Sequence, residues 1–285
     1  MSEDWQFCFH LKGLIAPLEG VAFDNMLFLG FPPSDDASVF LKSSIEVNAD
    51  KDKFKDELMD DLRNIMQIYG LVTVSHVDVL PSLGYGKISV ENPFGNKRLC
   101  ASRLGLIAVY DHEERKKNIP NIEETLSKYN AVKNIFSGTE KAFLRNAVDY
   151  FVRSIGDKRL EEKLLDLMIS LESLFSNEKD ELGLRYSLRA SYLLSANQEV
   201  ERPDIFRNIH SLYNKRSAVV HGTENVELQY KDVASLQEYV REAIKRLIYI
   251  DLPKQKILQL LDESVYDDKK KASLNEVVAE AIKKW

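Results

Sequence analysis

At 285 residues the chain is long enough for two domains of ordinary size, each with a core of its own. Hydrophobic residues make up 44% and charged residues 29%, which excludes wholesale disorder and fibrous repeats. The balance of 39 Lys and Arg against 45 Asp and Glu leaves a net charge of −6, so no chain-wide basic surface for duplex DNA is expected.

The first hundred or so residues alternate like strands around one long helix. Residues 5–11 are rich in aromatics, 25–31 form an apolar run stopped by Pro32-Pro33, and 39–47 mix β-branched and polar residues. Each reads as a strand bounded by turn residues. The period then changes. Phe54, Leu58, Leu62, Ile65, Ile68 and Tyr69 recur at helical spacing, and Gly70 reads as the cap beyond the helix end. Strands are expected again at 71–80, 87–90 and 104–110, with Gly84-Tyr85-Gly86 as a turn. This order predicts an α+β domain with an antiparallel or mixed sheet.

Residues 111–118 are charged and lack apolar periodicity, which places the domain boundary there, with domains at 1–118 and 119–285. Beyond it nothing resembles a strand. Asn121 with Glu124 reads as a capping-box helix start. Phe143, Ala147, Tyr150, Phe151 and Ile155 mark a helical face closed by Gly156. Leu160, Leu164, Leu167, Leu171 and Leu174 form a long stripe. Helices follow at 182–194, after Pro203 in a first turn, at 233–250 and at 272–285, with Lys269-Lys270-Lys271 as a solvated helix start or loop. The second half is therefore expected to be an all-α bundle with short connections.

Several chemistries are missing from the sequence. Cys8 and Cys100 are too few and too far apart for a disulfide framework and read as small apolar fillers. No Cys/His cluster has zinc-ligand spacing, and no P-loop, dinucleotide fingerprint, G-x-S-x-G, H-E-x-x-H or EF-hand loop occurs, so neither a metal nor a cofactor is expected. His10, His76 and His112 are isolated and read as structural or solvent residues. The acidic start is unlike a signal peptide and no apolar stretch spans a bilayer, so a cytoplasmic protein without membrane contact is expected.

One stretch, residues 205–222, carries a constellation. On a helical wheel Ile205, Ile209, Leu212, Val219 and Val220 form an apolar stripe, and Arg216 falls in line with it. A guanidinium there must be paired or must line a polar cleft, because burying it alone is very costly. His210, Asn214, Ser217 and His221 form a second, polar stripe, with His210 and His221 about 20° apart. Gly222 suits a left-handed cap, which puts His221 in the last turn, where the helix dipole favours a protonated imidazole and suits acid/base work or simple capping. His210 reads as a surface residue. Arg216 and His221 are about 140° apart around an ideal helix and do not share a face.

Arg-x-x-x-x-His closing a helix, in the context Leu212-Tyr213-Asn214-Lys215-Arg216-Ser217-Ala218-Val219-Val220-His221-Gly222, resembles the HEPN superfamily and most closely its Apea-like members. Leu171-Glu172-Ser173-Leu174-Phe175 is similar to the family's first core helix, and residues 184–194 to its arginine-bearing second one. The resemblance covers roughly residues 120–250 and implies a HEPN-type helical bundle behind the α+β domain, whose own role stays open. It implies a metal-independent endoribonuclease, in host defence or a stress response, built as a homodimer with two motifs meeting at a cleft. Arg216 would hold the scissile phosphate of RNA and His221 would move the proton of the attacking 2′-hydroxyl. Ser217 stands where many active members carry Asn, Asp or His, as is common in the Apea-like branch. Glu172, Asn214 and Ser217 are supporting candidates, and Arg216 either pairs with a carboxylate such as Glu172 or serves the phosphate. Arg185 and Arg189 share a helix face and form either an RNA-backbone patch or surface salt bridges with Glu178, Asp180 and Glu181. The alternative class is a non-catalytic module binding nucleotide, RNA or a protein partner.

Overall fold

A computed structural model describes residues 2–12, 14, 21–23, 26–30, 36–73, 75, 77–87, 98–101, 107–110, 121–137, 141–156, 158–176, 182–196, 201–222 and 227–285. The chain divides into two compact units, Met1–Tyr129 and Asn130–Trp285. His76, His112 and the linker expected at 111–118 lie outside the described residues.

In the first unit, strands β1 (Ser2–Lys12), β2 (Val21–Phe23), β3 (Met26–Gly30), β4 (Asp36–Glu46) and β5 (Asp78–Lys87) form an antiparallel sheet in the order β2-β3-β4-β1-β5. The aromatic alternation of β1 puts Phe7, Phe9 and Leu11 on one fully buried face, opposite Leu41, Val39 and Ala37 of β4. Helix α1 (Lys51–Thr73) belongs to the same core through Leu62, Ile65, Met66 and Tyr69, and the Phe54 ring lies 5.6 Å from that of Phe7. Strands β6 (Arg98–Ala101) and β7 (Ile107–Tyr110) make a separate antiparallel pair. Cys8 is free and buried, and Cys100 lies in β6.

Two expectations are corrected here. Gly70 does not end α1. The helix runs on to Thr73, which buries Leu71 completely and lets the Thr73 hydroxyl donate to the Tyr69 carbonyl at 2.7 Å. The strand expected from residue 71 therefore begins only at Asp78. Gly84-Tyr85-Gly86 is strand rather than turn, paired with Cys8, Phe7 and Gln6. β5 lies at the sheet edge, and its register shifts opposite Cys8–His10, which accommodates Pro81. The strand expected at 87–90 meets the described residues only at Lys87, the end of β5.

Helix α2 (Ile122–Val132) comes next among the described residues. Asn121 precedes it at φ 60°, a left-handed conformation that asparagine tolerates, instead of the extended form of a capping box. Ile122 is fully buried in the first unit's core, with Leu126 and Tyr129 packed against it, and the Tyr129 hydroxyl donates to Asp61 at 3.2 Å. These contacts carry the first unit beyond residue 118.

The second unit is helical throughout its described residues. It comprises α3 (Asn134–Ser137), α4 (Ala142–Ile155), α5 (Leu160–Phe175), α6 (Leu182–Leu194), α7 (Arg202–Val220), α8 (Tyr230–Ile248), α9 (Lys254–Glu263) and α10 (Asp268–Lys284). α5 is the centre of the bundle. It packs against α4, α6, α7 and α8, with Leu164, Leu167, Leu171 and Phe175 wholly buried. Charged groups hold the bundle together. Arg246 donates to the Leu193 and Leu194 carbonyls that end α6, both at 2.6 Å, and Lys158 meets buried Asp166 at 2.5 Å. Among the described residues no helix is long and apolar enough to cross a membrane.

Candidate functional site

α7 carries the Arg-x-x-x-x-His segment. Pro203 occupies its first turn, and Ile205, Ile209 and Leu212 bury one face. His221 is the C-cap, its N–H donating to the Ser217 carbonyl at 3.0 Å, and Gly222 follows at φ 67°. Open space surrounds Gly222 where a Cβ would stand, so backbone conformation is what favours glycine there. His221 and Asn214 are exposed, whereas Ser217 is half-buried.

The apolar stripe does not extend as expected. Val219 is half-buried and Val220 is 51% exposed. Gly183, in the first turn of α6, meets the Tyr213 ring. The fit is close: a Cβ on Gly183 would stand 2.3 Å from a Tyr213 ring carbon. Tyr186, 3% exposed, meets the same ring edge-on with centroids 5.4 Å apart.

Arg216 sits half-buried beside this aromatic pair. Burial raises the Tyr186 pKa most, the neighbouring Tyr213 hydroxyl raises it further, the Arg216 cation pulls it down and the Glu172 carboxylate pushes it up. Tyr186, Tyr213, Arg216 and Glu172 thus form one electrostatic cluster. Pairing of Arg216 with Glu172, one of the two alternatives for this arginine, is not made. Among the described residues Arg216 has no ion pair and no hydrogen bond to its guanidinium. Its placement at the α7 edge, partly in water, is what makes an unpaired cation tolerable there.

Glu172 is half-buried on α5 and lines an open groove of about 450 Å³ whose walls include Phe143, Ile169, Ser173, Ser176 and Lys254. Lys254 Nζ donates to the Ser176 carbonyl at 2.5 Å and stands 5.6 Å from the Phe143 ring centroid. Burial, then the nearby Arg189 charge, lower the Lys254 pKa, and Glu172 raises it.

Of the two arginines on α6, Arg189 is placed differently from either alternative. Arg189 is 5% exposed; its Nε and Nη2 both meet Asp262 at 2.7 Å, and its Nη1 donates to the Phe175 carbonyl at 2.6 Å. This fork is spent inside the bundle, fixing α6 to α9 and to the end of α5, and does not serve an RNA backbone. Arg185 is half-buried. His210 is also half-buried, with its ring stacked on Phe206 at 5.7 Å and Nδ1 shut from solvent, so it is not the surface residue expected. Tyr186 and Lys254 escape the sequence reading. The spacing of Tyr186, Ala190 and Leu193 could have placed Tyr186 on the buried stripe of α6; no comparable pattern marks Lys254.

Comparison of the chain with protein-family models, with curated proteins and with solved structures gives no match.

Proposed function

We propose that the second unit is a metal-independent endoribonuclease of HEPN type that works as a homodimer. The observation that carries this reading is Arg216: a half-buried guanidinium with no ion pair among the described residues, five residues before an exposed histidine that closes the same helix. A cation kept partly out of water and left unpaired favours an external anion, and its planar fork suits phosphate oxygens.

In this reading Arg216 holds the scissile phosphate. His221 takes the proton from the 2′-hydroxyl as the 2′ oxygen attacks phosphorus, and the bond from phosphorus to the 5′ oxygen breaks. The departing 5′ oxygen receives a proton from the His221 imidazolium of the second copy. The products are a 2′,3′-cyclic phosphate and a 5′-hydroxyl. Two copies are needed because Arg216 and His221 lie about 140° apart on one helix.

The test is incubation of the full chain with a structured and an unstructured RNA in excess chelator, with end-group analysis of the products. Cleavage to cyclic-phosphate ends is expected. RNA that is bound but left intact would identify the non-catalytic module instead.

A further inference from the structure

The groove beside Glu172 has a use of its own. Glu172 carries only acceptors, and among the described residues its carboxylate has no hydrogen bond or ion pair. Lys254 commits one of its three N–H donors to the Ser176 carbonyl and keeps two. The two charges influence each other across the groove, yet no ion pair joins them among the described residues. A ligand that satisfies both must present donors to Glu172 and an acceptor to Lys254. It must also be flat and partly apolar to lie along Phe143 and Ile169.

We propose that this groove reads a guanine base, with its N1–H and 2-amino donors on Glu172 and its O6 acceptor on Lys254. The other bases fit worse. Adenine turns an N1 acceptor toward the carboxylate, cytosine has one donor group beside two acceptors, and uracil flanks its single N–H with two carbonyls. The groove's 450 Å³ is within the usual range for small-ligand sites, and its open side admits a base that belongs to a strand. Ser173 adds a hydroxyl for a ribose. For its source in RNA the inference rests on the proposed function; guanine recognition itself does not.

The experiment measures binding, not cleavage. Labelled 2′-O-methyl hexamers, which have no free 2′-hydroxyl to attack, carry one central guanine, adenine or hypoxanthine in an adenine background. Unlabelled GMP is titrated separately. The full-length wild type should bind the guanine hexamer roughly tenfold or more tighter than the adenine one. Hypoxanthine, which lacks the 2-amino group, should fall between them. Glu172→Gln, nearly equal in shape and checked by its melting curve, should bind guanine and adenine hexamers alike. Equal wild-type affinity for both overturns the guanine site and leaves RNA binding standing. GMP binding that depends on Glu172, with no hexamer bound, upholds the site and removes RNA as its source. Guanine bound in neither form, or a preference that survives Glu172→Gln, overturns the inference; the hypoxanthine arm decides it even if the variant fails to fold.

Discussion

Arg216 leaves no orphaned partner when it is removed, because no carboxylate is paired with it among the described residues. Arg216→Ala should therefore change stability by less than about 1 kcal/mol in a urea melt, while RNA cleavage is lost. A loss of several kcal/mol would restore the buried ion pair that its position in the apolar stripe suggests. Tyr186 makes a separate prediction. Burial holds its hydroxyl neutral above the ordinary value of 10.0. The unfolded chain releases that proton near pH 10 and the folded chain only at higher pH, so the contribution to stability is whole below about pH 10 and declines above it. Between about pH 10 and 11 the melting temperature of Tyr186→Phe should fall less steeply than that of wild type. Parallel slopes would show that Tyr186 is not a source of the alkaline sensitivity.

At the scale of elements, α6 and α7 meet closely where Gly183 faces the Tyr213 ring. Gly183→Ala puts a carbon into the Tyr213 ring and should cost roughly 1–3 kcal/mol, measured by denaturant unfolding. An unchanged midpoint would mean that Tyr213 moves aside freely. Much of this layer is legible in the residues. The stripe of α5, the span of α6, Pro203 in the first turn of α7 and the left-handed Gly222 all follow from local spacing and backbone preference. What fails to follow depends on partners distant in sequence. Gly84-Tyr85-Gly86 is strand because β1 pairs with it, and Gly70 is helical because Leu71 is needed in the core. Arg189 finds Asp262 73 residues away, which no local pattern announces.

For the whole molecule, the proposed ribonuclease reading places Arg216 and His221 on different sides of one helix and therefore calls for two copies. The purified chain should be a dimer by light scattering at micromolar concentration, and a monomer both with and without RNA would remove the composite site. Glu172 of the groove, Tyr213 and Arg216 all act electrostatically on Tyr186. The exposed His221 is the part of this arrangement least involved in packing, and its removal separates chemistry from fold. The most direct measurement compares cleavage of one RNA, in excess chelator, by equal concentrations of wild type and His221→Ala. A fall of roughly 10²–10⁴-fold in rate is predicted, with RNA affinity and melting temperature close to wild type. Equal cleavage by the two proteins would contradict the assignment of proton transfer to His221.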